Sequence, residues 1–336
     1  MNRERSGPPA TWPRSFAFLL VKDFSMMPFT AALEPLQMAN RMHGREVYRW
    51  HTLSMDGAPV TASNGTAVQV DGSLPQCGQV DAVVVCAGVK AYDHRDPAVA
   101  AQLRRLSRRD CLIGSVCSGS IILADAGLLD GRKCTGHWED LETLAENYPA
   151  LEVTKSIFEI DGSRFTCSGG TAPLDLMIHF ISRDFGRDLA ARVADQMLHH
   201  SARQAAEPQR LALSERTGVR HPRLLDVIAA MEANLESPLQ LAVLAERAGL
   251  SLRQLERLFA DQLRLKPGSY YRKLRLDRAR QLVMQTGQSM LQIAVATGFS
   301  SATHFAKVYG AEFGLPPSRD REAAQRKDGA LNIRRR

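Results

Sequence analysis

The sequence predicts two domains of different class: an α/β domain with a parallel sheet flanked by helices, then an all-α domain built on two helix-turn-helix units. Three observations carry this. Between Phe16 and Cys167, short apolar runs of strand length alternate with helical stretches, the order that a parallel sheet with crossover helices requires. Between Leu239 and Phe313, one pattern occurs twice: a short apolar-periodic helix centred on a small residue (Ala245, Ala294), a glycine (Gly249, Gly298), an apolar residue (Leu250, Phe299) and a serine (Ser251, Ser300). A chain of 336 residues is also long enough for two cores.

Taken in order, residues 1–13 read as a loose, proline-containing basic tail without the apolar stretch of a signal peptide. Phe16–Val21 is a buried-strand run, and Phe29–Met42 a helix with Leu33, Leu36, Gln37 and Asn40 on successive turns. Tyr48–Met55 alternates as a strand, Ser63-Asn64-Gly65 is a turn and Ala67–Val70 a short strand. Asp81–Cys86 is a third core strand, Pro97–Arg108 a helix and Cys111–Ser115 a fourth strand. Lys133–Thr135 is a short strand and Leu141–Asn147 a helix. Ile157–Ile160 and Arg164–Cys167 form a hairpin about Asp161-Gly162, and Pro173–Phe185 is a helix with its proline in the first turn. Asp188–Arg203 reads as a further helix, with His199 and His200 near the surface.

The fourth strand ends in Gly114-Ser115-Val116-Cys117-Ser118-Gly119-Ser120 before a helix at Ile121–Ala126. A small-rich strand-to-helix turn with a nucleophilic residue at its tip has the layout of a nucleophile elbow, and the helix N-terminus is expected to lower the thiol pKa. His137-Trp138-Glu139 follows downstream. Catalysis needs a thiolate, a base within reach and a group orienting that base; Cys117, His137 and either Glu139 or Glu34 supply the residue types. A different use is a small-molecule pocket, with Trp138 and Glu139 receiving a cation. Simple packing of Trp138 is the third. Ser168-Gly169-Gly170-Thr171 is either an anion-binding helix start or a tight turn.

These residues resemble the class I glutamine amidotransferase-like, flavodoxin-like fold shared with PfpI-type proteases, over about Arg14–Arg187. The resemblance implies that Glu34 sits beside Cys117 and that Gly88 and the Ser118 amide form an anion-binding nest. Ser118 stands where active PfpI-type proteins usually carry histidine, so no catalytic role is expected and Cys117 and His137 are read as a vestigial elbow. EPLQMANR (34–41), LDGRKCTGHWE (129–139) and FTCSGGTAPLDLM (165–177) look like a subgroup of regulators that respond to glycine betaine, carnitine, related methylated amines or arginine. The implied ligand-binding set is Glu34, Gly88, Cys117, Ser118, His137, Trp138 and Glu139.

Residues 206–222 read as a linker between a sensing domain at 14–205 and a second domain at 223–325, with a basic tail at 326–336. The two helix-turn-helix glycines lie 49 residues apart, joined by a helical stretch at Tyr270–Gln285. Roughly 24 Å of helix suits two recognition helices on one face of DNA, about one turn (~34 Å) apart. Leu255, Leu258 and Phe259 take the buried face, leaving Arg253, Glu256 and Arg257 outward, with Ser251 and Gln254 at the helix start. Arginine pairs with guanine and glutamate with cytosine, each discriminating by roughly 1–3 kcal/mol; a merely solvated charged face is the alternative. Ser301, Thr303, His304 and Lys307 are the outward candidates of the second unit, while Arg272, Lys273 and Arg275 read as phosphate contacts or internal pairs.

Residues 223–321 resemble the DNA-binding domain of AraC/XylS regulators. The carrying positions include Leu244, Ala245, Arg257, Phe259, Pro267, Arg275, Ala279, Ile293, Gly298, Phe299, Phe305, Phe313, Pro317 and Arg321. Gly310 and Asp320 depart from that pattern, which usually has a basic residue and an aromatic there. The resemblance implies double-stranded DNA, a small-molecule effector and RNA polymerase as partners; an activating role is expected, and a homodimer because many regulators need paired half-sites. Net charge of +7 and a pI near 9.2 suit a polyanion partner. No apolar run approaches a membrane span, and the six cysteines form no CxxC pair. A cytoplasmic protein without metal or cofactor is therefore expected.

Overall fold

The computed structural model describes residues 14–323, so the tails read at 1–13 and 326–336 lie outside the described residues. The chain divides into two compact units after Gln209.

The first unit carries strands β1 (Ser15–Leu20), β2 (Arg49–Ser54), β3 (Val60–Thr61), β4 (Ala67–Val68), β5 (Gly72–Ser73), β6 (Ala82–Cys86) and β7 (Leu112–Val116), then β8 (Lys133–Cys134), β9 (Glu152–Val153), β10 (Phe158–Asp161) and β11 (Arg164–Cys167). Its helices are α1 (Met26–His43), α2 (Pro97–Ser107), α3 (Gly119–Asp125), α4 (Leu141–Asn147), α5 (Ala172–Phe185) and α6 (Arg187–Gln196). Seven strands form one sheet in the order β10-β11-β7-β6-β1-β2-β5. All neighbours are parallel except β10 and β11. Because side chains alternate along a strand, Phe16, Phe18 and Leu20 meet α1, α5 and α6, while Ala17 and Leu19 meet α2 and α3 on the other face. A parallel strand buried on both faces reads as a continuous apolar run, which is why FAFLLV was legible.

The register sets up the site. Leu20 pairs with Cys86, Cys86 with Val116, and Val116 with Cys167. The carboxyl ends of four parallel strands therefore end in one row. The loops that follow them, carrying Ser25, Gly88, Cys117 and Gly169, leave from the same edge, where open α/β sheets hold their ligands.

Two expected elements differ. The helix read over 188–203 stops at Gln196, since Leu198 takes φ +54 and His199 returns its amide to Ala194 O at 2.9 Å. His199 is half-buried, with its Nε2 2.7 Å from Oδ1 of the fully buried Asp175. The stretch 206–222 carries structure of its own. Pro208 bridges Ser156, and α7 (Leu213–Thr217) ends on Gly218 in the left-handed region.

The second unit contains α7, α8 (Pro222–Glu232), α9 (Leu241–Arg247), α10 (Leu252–Leu263), α11 (Pro267–Gln285), α12 (Met290–Ala296) and α13 (Ala302–Phe313). It has two small cores. Leu224, Ile228, Leu244, Leu255, Phe259 and Tyr271 fill one; Leu276, Ala279, Ile293, Phe299, Phe305 and Tyr309 fill the other. The rod α11 thus gives its first half to one core and its second half to the other.

Ser251 caps α10 with a reciprocal Gln254 box, as the sequence indicates. In the second unit the cap is Ser301, not Ser300: its Oγ accepts from His304 N at 3.2 Å. The turn there is one residue longer than in the first. Gly298, at φ +73, lies so close to the preceding chain that an added Cβ would meet Leu235 O at 2.6 Å and Pro238 Cδ at 2.7 Å. Replacing Gly298 by alanine is expected to destabilise the second unit by about 1–3 kcal/mol, combining a left-handed backbone penalty with overpacking. Urea unfolding of the intact chain followed at its C-terminal unit measures the loss.

Candidate functional site

Cys117 follows directly on β7 and adopts φ +57, the strained turn that lifts a side chain off the end of a strand before α3 begins. Its surroundings come from loops leaving the same sheet edge. Sγ lies 3.7 Å from Ser25 Oγ and 3.9 Å from Ser118 Oγ. Gly169, at φ +111, packs against it so tightly that a Cβ there would lie 3.1 Å from Cys117 Cα and 3.2 Å from its sulfur. Gly88 closes behind Ser25, with a built Cβ 2.3 Å from Asp23 O and 3.1 Å from Ser25 N. Gly88 is there because the backbones approach too closely for any side chain, and Gly169 because of its positive φ in a tight space.

The electrostatics differ from the expectation of an activated thiol. Burial pushes the Cys117 thiol above the ordinary cysteine value, and nearby Asp140 pushes the same way. Contacts with the Ser25 hydroxyl, the Ser118 amide and the Ser118 hydroxyl pull down but do not offset the burial. Dehydration of the sulfur outweighs the N-terminus of the short helix α3.

Ser118 Oγ is itself committed, donating to Asp140 Oδ2 at 2.7 Å in a buried pair. His137 turns to Glu139, Nδ1 to Oε2 3.8 Å, and its ring lies beside Trp138 with centroids 5.6 Å apart. Among the described residues no hydrogen bond joins His137 to Cys117. The two are linked through Gly136, where an added Cβ would lie 2.4 Å from Ser120 Oγ and 3.8 Å from Cys117 O.

The edge therefore brings together Gly88, Cys117 and Ser118, with His137, Trp138 and Glu139 as a half-buried rim one residue beyond Gly136. Glu34 is not part of it. It is exposed on α1, nine residues past Ser25, or roughly 13 Å along the helix at 1.5 Å per residue. The α1 residue range reaches the sulfur through its N-cap, Ser25, instead. Ser25 and Asp140 were missed in the sequence, and Gly169 was read only as part of an anion-binding helix start or a tight turn. Ser25 and Asp140 both stand just before helices, where no sequence pattern sets them apart; only the fold shows that they converge.

In the second unit, Arg253, Gln254, Glu256 and Arg257 on α10, and Thr303, His304 and Lys307 on α13, are all exposed, as are the caps Ser251 and Ser301. Ser251 and Gln254 spend side-chain groups on each other, at 2.8 and 3.2 Å to backbone amides. Arg253, Arg257 and Lys307 have no carboxylate partner among the described residues. Arg275 is internal. It donates to Thr297 O at 2.7 Å and Gly298 O at 2.6 Å and lies 4.2 Å over the Phe299 ring, clamping the second turn to α11. Asp320 departs from the usual aromatic because it is buried between Tyr309 Oη, 2.8 Å away, and Arg280 Nε, 3.1 Å away.

Comparison with known proteins agrees with both halves. The DJ-1/PfpI family model matches residues 14–183, and a helix-turn-helix domain model matches residues 244–323. The HTH-type transcriptional regulator CdhR of Pseudomonas aeruginosa is 46% identical over 308 residues, 92% of this chain and 91% of its own. GbdR of the same species is 44% identical over 310 residues, 92% and 84% of the two chains, and ArgR 37% identical over 322, 95% of each. Among solved structures, an AraC family transcriptional regulator from Pseudomonas putida is 26% identical with a TM-score of 0.51, covering 55% of this chain and all of that one. Among the described residues no helix is long and apolar enough to cross a membrane.

A buried, protonated thiol alkylates slowly. At neutral pH, Cys117 in the folded chain is expected to react with iodoacetamide at least about tenfold slower than a free thiol, with the rate rising only as pH passes above the ordinary cysteine value. Mass-spectrometric counting of labelled Cys117 against pH checks this.

Proposed function

Since this chain belongs to the HTH-type transcriptional regulators that place a DJ-1/PfpI-family domain ahead of an AraC-type helix-turn-helix domain, we propose that its first unit senses a small amine-bearing metabolite and that its second reads DNA through α10 and α13. Residues 14–205 are the sensing part and 223–325 the reading part in this proposal. The observation that carries it is the position of Trp138 and Glu139 between two residues held on the elbow: Gly136, packed against Ser120, and Asp140, which accepts from Ser118 Oγ at 2.7 Å. An indole face and a carboxylate suit a cationic amine. The Ser118 amide, aimed at the elbow, suits a carboxylate at the other end of the same ligand. A betaine, a carnitine-like compound or an amino acid has both ends, which agrees with the subgroup that the sequence resembles.

Effector binding shifts the population toward the arrangement that engages DNA productively, and the protein then acts as an activator through RNA polymerase, as a homodimer. Cytoplasmic DNA is the partner, and the six free cysteines support a reducing compartment. The rival reading, a cysteine-dependent hydrolase, needs a thiolate beside a base. Burial of the sulfur and the turn of His137 toward Glu139 argue against it.

Two measurements test this. In a thermal-shift panel of glycine betaine, L-carnitine and L-arginine on the intact chain, at least one compound is expected to raise stability, by about 2.7 kcal/mol at a hundredfold excess over its Kd. Trp138→Ala should weaken that binding by about 0.5–2 kcal/mol; consumption of the compound by wild type but not by Cys117→Ala would establish the hydrolase instead. On DNA, Arg253→Ala should lose about 1–3 kcal/mol of discrimination at one base position. Equal weakening on every sequence would make Arg253 a phosphate contact.

A further inference from the structure

The residues just before the chain divides are tied to the elbow at two points. At the first, the fully buried carboxylate of Asp175 accepts from Arg203 Nε at 2.9 Å, Nη2 at 2.6 Å and the Arg203 amide at 2.8 Å, with His199 Nε2 at 2.7 Å. Arg203 also donates to Thr171 Oγ1 at 2.8 Å. Thr171 stands two residues after Gly169, which lies against the Cys117 sulfur. At the second point, Gln209 Nε2 lies 3.0 Å from Thr135 Oγ1, 3.0 Å from Gly136 O and 2.9 Å from Ser156 O. Gly136 is the residue before His137-Trp138-Glu139. Between the two points, Ile157 N donates to Ala205 O at 2.9 Å and Pro208 bridges Ser156.

We propose that residues 199–209 form a strap that reports the state of the effector site to the DNA-binding unit, and that Gln209 is the contact that holds it in the restrained state. The inference rests on the reading of 14–205 as an effector-sensing unit. Three features set Gln209 apart from an ordinary packing residue. It is the last residue of the first unit, so a change in its seating acts directly on the chain entering the second. It touches the backbone segment that carries the Trp138–Glu139 rim. Its hydrogen bonding is also lopsided: one amide nitrogen faces three acceptors, while the buried Oε1 has no hydrogen-bond partner among the described residues. An amide has two protons to give, so one of the three contacts is always shared, and the buried oxygen gains nothing from the seat. Such a contact is released at less cost than a fully satisfied one. Movement of the rim on binding a ligand displaces Gly136 O and frees Gln209, while the Asp175 knot keeps the base of the strap in place.

The test uses the intact chain and needs no knowledge of the effector. A reporter is placed under a promoter that the protein occupies in its own host, mapped by chromatin immunoprecipitation. Output is compared for wild type, Gln209→Leu and Gln209→Glu with no amine added. Leucine removes the donor; glutamate sets a carboxylate against three oxygens. Both variants are expected to raise basal output by on the order of fivefold or more, the lower range of allosteric coupling. For the activator proposed above, misfolding lowers output, so a rise in a variant is not its result. Wild-type output in either folded variant, or a loss of output in both, overturns the strap. Failure of the effector panel on wild type is a separate result, and it overturns the sensing reading without touching this readout.

Discussion

The first unit depends on one constraint: four parallel strands stop in a single register row, Leu20, Cys86, Val116 and Cys167. Every group around the cysteine leaves the sheet just beyond that row. The backbone loops must then crowd into a small space, and they do so by giving up side chains at Gly88 and Gly169 and by bending Cys117 to a positive φ. Crowding of this kind excludes water, and exclusion of water is what keeps the thiol protonated. A catalytic architecture and a sensing architecture share the same elbow; they differ in whether the sulfur is solvated and paired with a base. Here it faces two serine hydroxyls and a glycine.

The second unit depends on a different constraint. Each helix-turn-helix has too little apolar surface to stand alone, and α11 supplies the missing wall to both. Arg275 shows how closely rod and turn are joined, since its guanidinium bonds two turn carbonyls and stacks on Phe299. A cation used this way is spent inside the unit, whereas Arg253 and Arg257 of α10 and Lys307 of α13 stand exposed. Asp320 illustrates how a departure from a family pattern is absorbed: a carboxylate replaces an aromatic and finds a phenol and a guanidinium.

Local signals located nearly all the core strands and helices, because strand runs and helical periods are short-range properties. Where they failed, a distant partner intervened. The helix read through Arg203 ends at Gln196, and the residues beyond it are held by Asp175, which is buried on α5. His199 reads as a surface residue by its polar neighbours, yet the same carboxylate draws it inward. Glu34 was placed at the site by resemblance, but helix geometry carries it away from the end of α1 that meets the sulfur.

The sequence by itself determined the two domain classes, the tandem helix-turn-helix units with their glycine turns and the serine cap of the first, the elbow at Cys117 and the outward polar faces of α10 and α13. Each single element follows from a short-range pattern, and the order of those elements along the chain gives the domain classes and the repeat. The tertiary structure alone decided which loops meet at the sheet edge, that the thiol is neutral, that Arg275 is internal and that the 199–209 segment is tied to the elbow. These rest on strand order and register, which join residues as far apart in the chain as Ser25 and Cys117 or Thr135 and Gln209. Burial and hydrogen bonding across such distances come into being only when the sheet has closed its order.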